Sequence, residues 1–289
     1  MKLPAFEYHN PTSIAEAVAL LASFDGTAKV IAGGQSLLPV LAFRLAAPTA
    51  LVDIGRIPGL DGIEINGNGI TLGARVRWCD IEGHQGLRSA LPLLGAAVDH
   101  VAHYQIRNRG TIGGSLAHAD PAAEAPGIAV TCDAEVSLVG PKGSRVVAAR
   151  DFFVGPLSTA LHPDEVIVSV RFPSWPKGRR WGFMEFARRK GDFAMAGVAV
   201  HYDLDNRGRA KDTHIGVIGA CLCPHRIVQA EEALNGKVVD SASITAAAQA
   251  ASAAVSPPED LHASAAYRRS LTGTLLERAL TTAASRETK

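Results

Sequence analysis

Gln105-Ile106-Arg107-Asn108-Arg109-Gly110-Thr111-Ile112-Gly113-Gly114-Ser115 is the stretch on which the reading of this chain turns, and its glycine pair has a counterpart upstream in Ala32-Gly33-Gly34-Gln35-Ser36. Paired glycines beside hydroxyl side chains let backbone N–H groups close on a diphosphate without a Cβ in the way. A single Gly-Gly is most often a plain turn, whereas two in such settings are a stronger signal. Around the first pair, Lys29-Val30-Ile31-Ala32 reads as a buried strand, and Ser36-Leu37-Leu38-Pro39-Val40-Leu41 opens a helix with Pro39 in its first turn. Strand, glycines, then helix start is the order that aims N–H groups at an anion. Ser36, Thr111 and Ser115 add hydroxyl donors at the same points.

The common nucleotide motifs are missing. No G-x-x-x-x-G-K-[ST] loop occurs, and Gly67-Asn68-Gly69-Ile70-Thr71-Leu72 fails the G-x-G-x-x-G pattern at its last position. That stretch reads as a hairpin turn between Ile63-Glu64-Ile65 and Ile70-Thr71-Leu72, with Asn66 to Gly69 supplying positive φ angles. A Rossmann site is therefore not expected. Gly113-Gly114-Ser115-Leu116-Ala117 misses the hydrolase elbow G-x-S-x-G, and H-E-x-x-H is absent. No paired carboxylates or nucleophile triad stand out, so the candidate site is a cofactor site with no catalytic residues of its own.

With 289 residues, 47% hydrophobic and 20% charged, the chain can bury a sizeable core and is long enough for two domains. A net charge of +1 implies no global attraction to nucleic acid or anionic membrane. The start Met1-Lys2-Leu3-Pro4-Ala5-Phe6-Glu7 lacks a signal-peptide run, and no stretch is apolar enough to span a membrane, so a cytoplasmic location is expected. Reduced thiols follow for Cys79, Cys132, Cys221 and Cys223. Cys221-Leu222-Cys223-Pro224-His225 sits at a strand end, where alternate residues point to opposite faces, and it lacks a fourth ligand, so no metal site is expected. Iron–sulfur spacing is absent as well; electrons that travel through iron do so in another chain.

The organisation reads as three blocks. Residues 1–57 begin with a helix capped by Ser13, with Glu16 completing a capping box and Ile14, Ala17, Val18 and Leu21 on one face, and end in strand Leu51-Val52-Asp53-Ile54. Residues 58–175 hold the hairpin, a helix with Leu91, Leu94, Val98 and Val101 on one side, the second glycine loop, and strands near 134–139 and 165–170. After Pro173-Ser174-Trp175-Pro176-Lys177-Gly178, strands near 181–188, 194–204 and 211–220 turn at Asp205-Asn206-Arg207-Gly208. A helix from Arg226 to Leu234 ends at Asn235-Gly236, and alanine-rich helices follow.

The segments AGGQSLLP (32–39) and QIRNRGTIGGSLAHADPAAE (105–124), with Val52-Asp53-Ile54, Ile57-Pro58-Gly59-Leu60, Pro163-Asp164-Glu165-Val166-Ile167 and Arg189-Lys190-Gly191-Asp192-Phe193-Ala194, resemble the FAD-binding medium subunit of molybdenum hydroxylases of the carbon monoxide dehydrogenase and xanthine dehydrogenase type. The likeness covers nearly the whole chain. Ser115 stands where asparagine is frequent in that family, and Phe193 where tyrosine is frequent. The resemblance implies an α+β protein: a two-part FAD-binding domain of the vanillyl-alcohol-oxidase (PCMH) type over 1–175, then a smaller domain of antiparallel sheet with flanking helices over 179–285.

It also implies a role: this chain carries FAD and passes electrons from the [2Fe–2S] clusters of a small subunit to an external acceptor. A large subunit with the molybdenum cofactor hydroxylates the substrate, in a dimer of heterotrimers. The flavin contacts implied are Lys29, Ile31, Ala32, Gly33, Gly34, Gln35, Ser36 and Leu37 around the first loop, and Val101, Ala102, Thr111, Gly114, Ser115 and His118 around the second. Asp120, Glu124, Leu161, Lys190 and Phe193 complete the set. Several keep a plainer reading beside this one. Asp120 could cap a helix begun by Pro121 rather than join Glu124 in bonding the ribose or adenine side of FAD, and Arg107 and Arg109 could be surface charges rather than supports of the loop or diphosphate contacts. Arg188-Arg189-Lys190 could be a solvated face, and Phe193 could pack in the second domain's core rather than cover the isoalloxazine. A self-contained FAD oxidoreductase of the same fold and a flavin-free binding module are the rival functions.

Overall fold

In the computed structural model, which describes residues 2–286, three apolar cores run along the chain. The first helix, Ile14–Ser23, is capped by Ser13, whose hydroxyl accepts from the Glu16 N–H at 3.2 Å. The reciprocal bond of the predicted capping box is displaced by one residue: Glu16 Oε2 accepts from the Thr12 N–H at 2.8 Å. Ala17, Val18 and Leu21 of this helix bury against strands Ala28–Ile31 and Ala50–Asp53. Those two strands and Glu7–His9 form a three-stranded parallel sheet with Ala50–Asp53 at its centre.

The second sheet has five antiparallel strands in the spatial order Ile63–Asn66, Gly69–Gly73, Val166–Phe172, Glu135–Gly140, Gly143–Ala148. Its hairpin forms as expected, with Ile63 opposite Leu72, but Gly69 alone of the four turn residues takes a positive φ. Strand Gly143–Ala148 has no clear alternation in its sequence because it is a mostly exposed edge. Below this sheet lie short helices, among them Pro92–Val98. Leu91, Leu94, Val98 and Val101 are all buried, yet Pro92 starts the helix and Val98 ends it, so Leu91 and Val101 flank it.

The C-terminal sheet runs Arg180–Phe186, Ala196–Leu204, Ala210–Ile218, His225–Arg226, all antiparallel. Asp205 holds its turn, with Oδ1 accepting from the N–H groups of Arg207 and Arg209 at 2.8 and 2.9 Å. Helices Val228–Leu234, Ser241–Ala254 and Ala265–Ser285 cover one face. The other face reaches the large core of the five-stranded sheet through Phe183 and Ala199. Burial on both faces explains why Ala196–Leu204 is an almost unbroken apolar run. At this junction the Thr131 carbonyl oxygen meets two imidazoles, His201 Nε2 at 3.1 Å and His214 Nδ1 at 2.9 Å. No helix among the described residues is long and apolar enough to cross a membrane.

Candidate functional site

The two glycine loops meet backbone to backbone. A Cβ at Gly33 would overlap the Arg109 carbonyl oxygen and lie 2.8 Å from its carbon and 3.0 Å from Gly110 Cα. Gly33 is therefore required by the approach of the second loop, a cause different from the phosphate clearance read from the sequence. Gly34 turns the chain with a φ of +73° into the helix Leu37–Ala42. From Gly33 to Leu37, five consecutive backbone N–H groups have no acceptor among the described residues, and the whole run is half-buried. Ser36, at the N-cap, has a hydroxyl that caps nothing. Five such donors in a row, leading into a helix start, form a cradle able to take an anionic guest.

The second loop works differently. Its N–H groups are already engaged: Ile112 donates to Val76 O at 2.9 Å, Gly113 to Ala74 O at 2.9 Å, Gly114 to Thr111 Oγ1 at 3.1 Å and Ser115 to Thr111 O at 3.0 Å. Gly113 is buried, and a Cβ there would lie 2.6 Å from that of Ala74, so it serves packing and does not line a diphosphate. What the helix Ile112–His118 offers instead is an accessible side carrying Gly114, Ser115, Ala117 and His118. Sequence periodicity alone could not separate bonded from open donors.

Arg107 is a support. Its Nη1 donates to the carbonyls of Val101 and Ala102 at 3.0 and 3.1 Å, while Nε meets Glu82 Oε2 at 3.1 Å. It thus fixes a turn in which Ala102 takes a φ of +41°. Arg109 is exposed, and its contribution is its backbone. The Lys190 loop leans on the same turn, since a Cβ at Gly191 would lie 2.7 Å from His103 Nδ1 and 3.0 Å from Ala102 O. Phe193 on this loop is 65% exposed, which rules out packing in the C-terminal core. Arg188, Arg189 and Lys190 are exposed too.

Asp120 does not cap a helix at Pro121. Its Oδ1 accepts from the Ala122 N–H at 2.8 Å, and the helix starts three residues later, Glu124–Thr131, with Ala123 at its N-cap. Glu124 is pushed up to about 8 by burial first, then by Glu185 and Asp120. Glu185 is a residue that sequence reasoning missed. A charged side chain two places from Phe183, on the inward face of an apolar strand, was the available signal. Lys29 is exposed on its strand, and Leu161 is half-buried against the large core; no hydrogen bond joins either side chain to the two loops among the described residues. Cys221 is buried with its thiol pushed up to about 12 by desolvation, and no group of three or more metal-ligating side chains occurs among the described residues.

Residues 4–175 match the family model described as the FAD binding domain in molybdopterin dehydrogenase, and residues 181–283 match the CO dehydrogenase flavoprotein C-terminal domain. The chain is 43% identical over 286 residues to the nicotine 6-hydroxylase medium subunit of Paenarthrobacter nicotinovorans, covering 99% of this chain and 100% of that one. Two solved structures superpose closely. A carbon monoxide dehydrogenase from Hydrogenophaga pseudoflava that lacks the Mo-pyranopterin moiety gives a TM-score of 0.95 at 40% identity over 99% of both chains. Quinoline 2-oxidoreductase from Pseudomonas putida 86 gives 0.93 at 38% identity over 98% of both.

Proposed function

Because this chain belongs to the family of FAD-binding medium subunits of the molybdopterin dehydrogenases, we propose that it is the electron-transfer subunit of a three-subunit molybdenum hydroxylase. The observation that carries the reading is the cradle of five unpaired N–H groups at 33–37, locked against the second glycine loop. FAD fits it: a diphosphate supplies acceptors for donors that otherwise have none. When bound, FAD supplies a centre that takes electrons singly and gives them up in pairs.

The chain's residues then bind and orient. Gly33 to Leu37 hold the diphosphate through backbone N–H groups, with the Ser36 hydroxyl beside them. Gly114 leaves room on the facing helix, where Ser115 and His118 add polar contacts. The Val101–Ala102 turn, held by Arg107, forms one wall of the ring site, and Phe193 covers the ring from the C-terminal unit. Lys29, Ile31, Ala32, Gln35, Thr111, Asp120, Glu124, Leu161 and Lys190 complete the proposed contacts. Residues 1–175, divided at 57, make the FAD-binding unit and 179–285 the second. A small subunit with [2Fe–2S] clusters delivers electrons, a large subunit with the molybdenum cofactor oxidises the substrate, and an external acceptor removes the electrons. The complex is a dimer of such heterotrimers in the cytoplasm.

Mild isolation of the tagged chain from its host, with a visible spectrum and subunit bands, tests this. Flavin absorption over iron–sulfur bands, with one larger and one smaller chain retained, is the expected result. Flavin with no companions would instead favour a self-contained oxidoreductase, and a colourless protein would favour a binding module.

A further inference from the structure

Thr131 ends the helix Glu124–Thr131, and its carbonyl oxygen is one of those that a helix end leaves unpaired. Two imidazoles of the C-terminal sheet take it, His201 Nε2 at 3.1 Å and His214 Nδ1 at 2.9 Å. The two histidines sit opposite each other on strands Ala196–Leu204 and Ala210–Ile218, with ring centroids 4.5 Å apart. A carbonyl oxygen only accepts, so each of these nitrogens carries a proton, and neutral His201 has a bare Nδ1. His201 is 1% exposed, and that Nδ1 is enclosed with no hydrogen-bond partner. A second proton there makes a buried cation with no acceptor.

The groups packed around the ring do not compensate that cation. Arg179, over the Trp175 ring, spends its guanidinium on Asp203 at 2.8 and 3.0 Å. Arg226 is held by Glu231 at 2.8 and 2.9 Å. Asp133 accepts from Arg226 Nη1 at 3.1 and 3.3 Å, and its Oδ2 lies 3.4 Å from His214 Nδ1. Strand Arg180–Phe186 sets the neutral Trp181 opposite His201, and the Cys132 thiol is pushed up to about 12 by burial. Burial first, then His214 and Arg179, holds His201 well below its ordinary value.

Few other ties cross this junction. Of the sheet's buried apolar side chains only Phe183 and Ala199 join the large core. The polar ties are Arg226 to Asp133, His100 to Glu185 at 3.3 Å, and the Gly219 N–H donating to Pro121 O at 2.8 Å. Helix and sheet meet closely, since a Cβ at Gly216 would overlap Thr131 Oγ1, so the rings have no room to turn away from the carbonyl.

We propose that the Thr131 carbonyl and its two histidines form an acid-released latch between the FAD-binding and C-terminal domains: a proton on His201 Nδ1 is accommodated only when the sheet lifts from the helix end and water reaches the ring. A cavity of about 200 Å³, lined by Trp175, Arg179 and the exposed Ser174, lies against the same histidines and is where that water enters.

Hydrogen exchange of the intact protein as isolated, read by mass spectrometry from about pH 7.5 to 5 and corrected for the intrinsic rate, tests the latch. Peptides over 124–131 and 196–218 are expected to lose protection by up to about tenfold per pH unit below about 6.5, and to regain it at neutral pH. Peptides over Ile14–Ser23 are expected to keep theirs. His201→Gln retains an N–H for Thr131 and takes no second proton, so its junction protection should stay level; an undiminished acid loss in that variant overturns the role of His201. Wild-type protection that stays level until the whole chain unfolds, or that falls in all peptides together, overturns the latch and needs no variant to fold.

Discussion

Gly33→Ala is the most discriminating single change. Its Cβ would overlap the Arg109 carbonyl oxygen and sit 2.8 Å from the carbonyl carbon, where ordinary contact begins at 3.4 Å, so the loops must part by more than about half an ångström. The second loop cannot retreat. Gly110 O accepts from the Trp78 N–H at 3.1 Å, and Ile112 and Gly113 are tied to Val76 and Ala74 at 2.9 Å each. The first loop therefore moves, and it carries the donors. Overpacking costs about 1–3 kcal/mol of stability. Misaligning two of the five N–H groups, each worth roughly 1.5–3 kcal/mol toward a charged acceptor, weakens FAD binding by about 3–6 kcal/mol, on the order of 10²–10⁴-fold. The assay is fluorescence titration of the flavin-stripped complex with FAD, beside a melting curve. Gly67→Ala is the control, because its Cβ meets nothing within 4 Å. Wild-type affinity with an unshifted melting temperature in Gly33→Ala would refute the abutting-loop account.

Arg107→Ala removes a guanidinium that holds two carbonyls and Glu82, and should cost roughly 2–4 kcal/mol in chemical denaturation, whereas Arg109→Ala should be close to neutral. Phe193→Ala should leave the melting temperature unchanged, since the ring is 65% exposed, and should alter the flavin absorption spectrum, with Phe193→Tyr tolerated; an unaltered spectrum removes Phe193 from the flavin site. Stability should fall on both sides of mild acidity. Glu124, raised to about 8, favours the protonated folded state, so stability declines as pH climbs from its unfolded value toward 8, and Glu124→Gln should flatten that limb in melting curves. His201 is held well below its ordinary value, first by burial and then by His214, so it folds neutral and stability declines as pH drops below about 6.5, by at most about 1.4 kcal/mol per pH unit for one proton. A His201→Gln protein that retains the full acid-side slope would contradict that assignment.

Local chemistry was legible wherever short-range rules decide the outcome. Ser13 as a cap, the Asp205–Gly208 turn, the stop at Asn235-Gly236 and the antiparallel C-terminal sheet all follow from propensity and alternation, which act within a few residues. The two glycine pairs pointed to the proposed site for the same reason. Their separate duties were not legible. Gly33 yields to Arg109, Gly113 to Ala74, and only the 33–37 loop keeps its donors open, because each depends on which backbone arrives from 39 or more residues away. Arg107 as a half-buried brace and Arg109 as an exposed neighbour look alike in sequence, two residues apart. Asp120 beside Pro121 met every local condition for a cap, yet the helix waits until Glu124. Glu185 is the clearest case: in the chain it is one glutamate in Phe183-Met184-Glu185-Phe186, and its carboxyl is enclosed beside His100 only when the C-terminal sheet closes on the core of the five-stranded sheet. The sequence by itself determined the elements and the class of cofactor. Tertiary structure decided which donors stay open and which charges meet, because desolvation and pairing are set by contacts between segments that the chain keeps far apart.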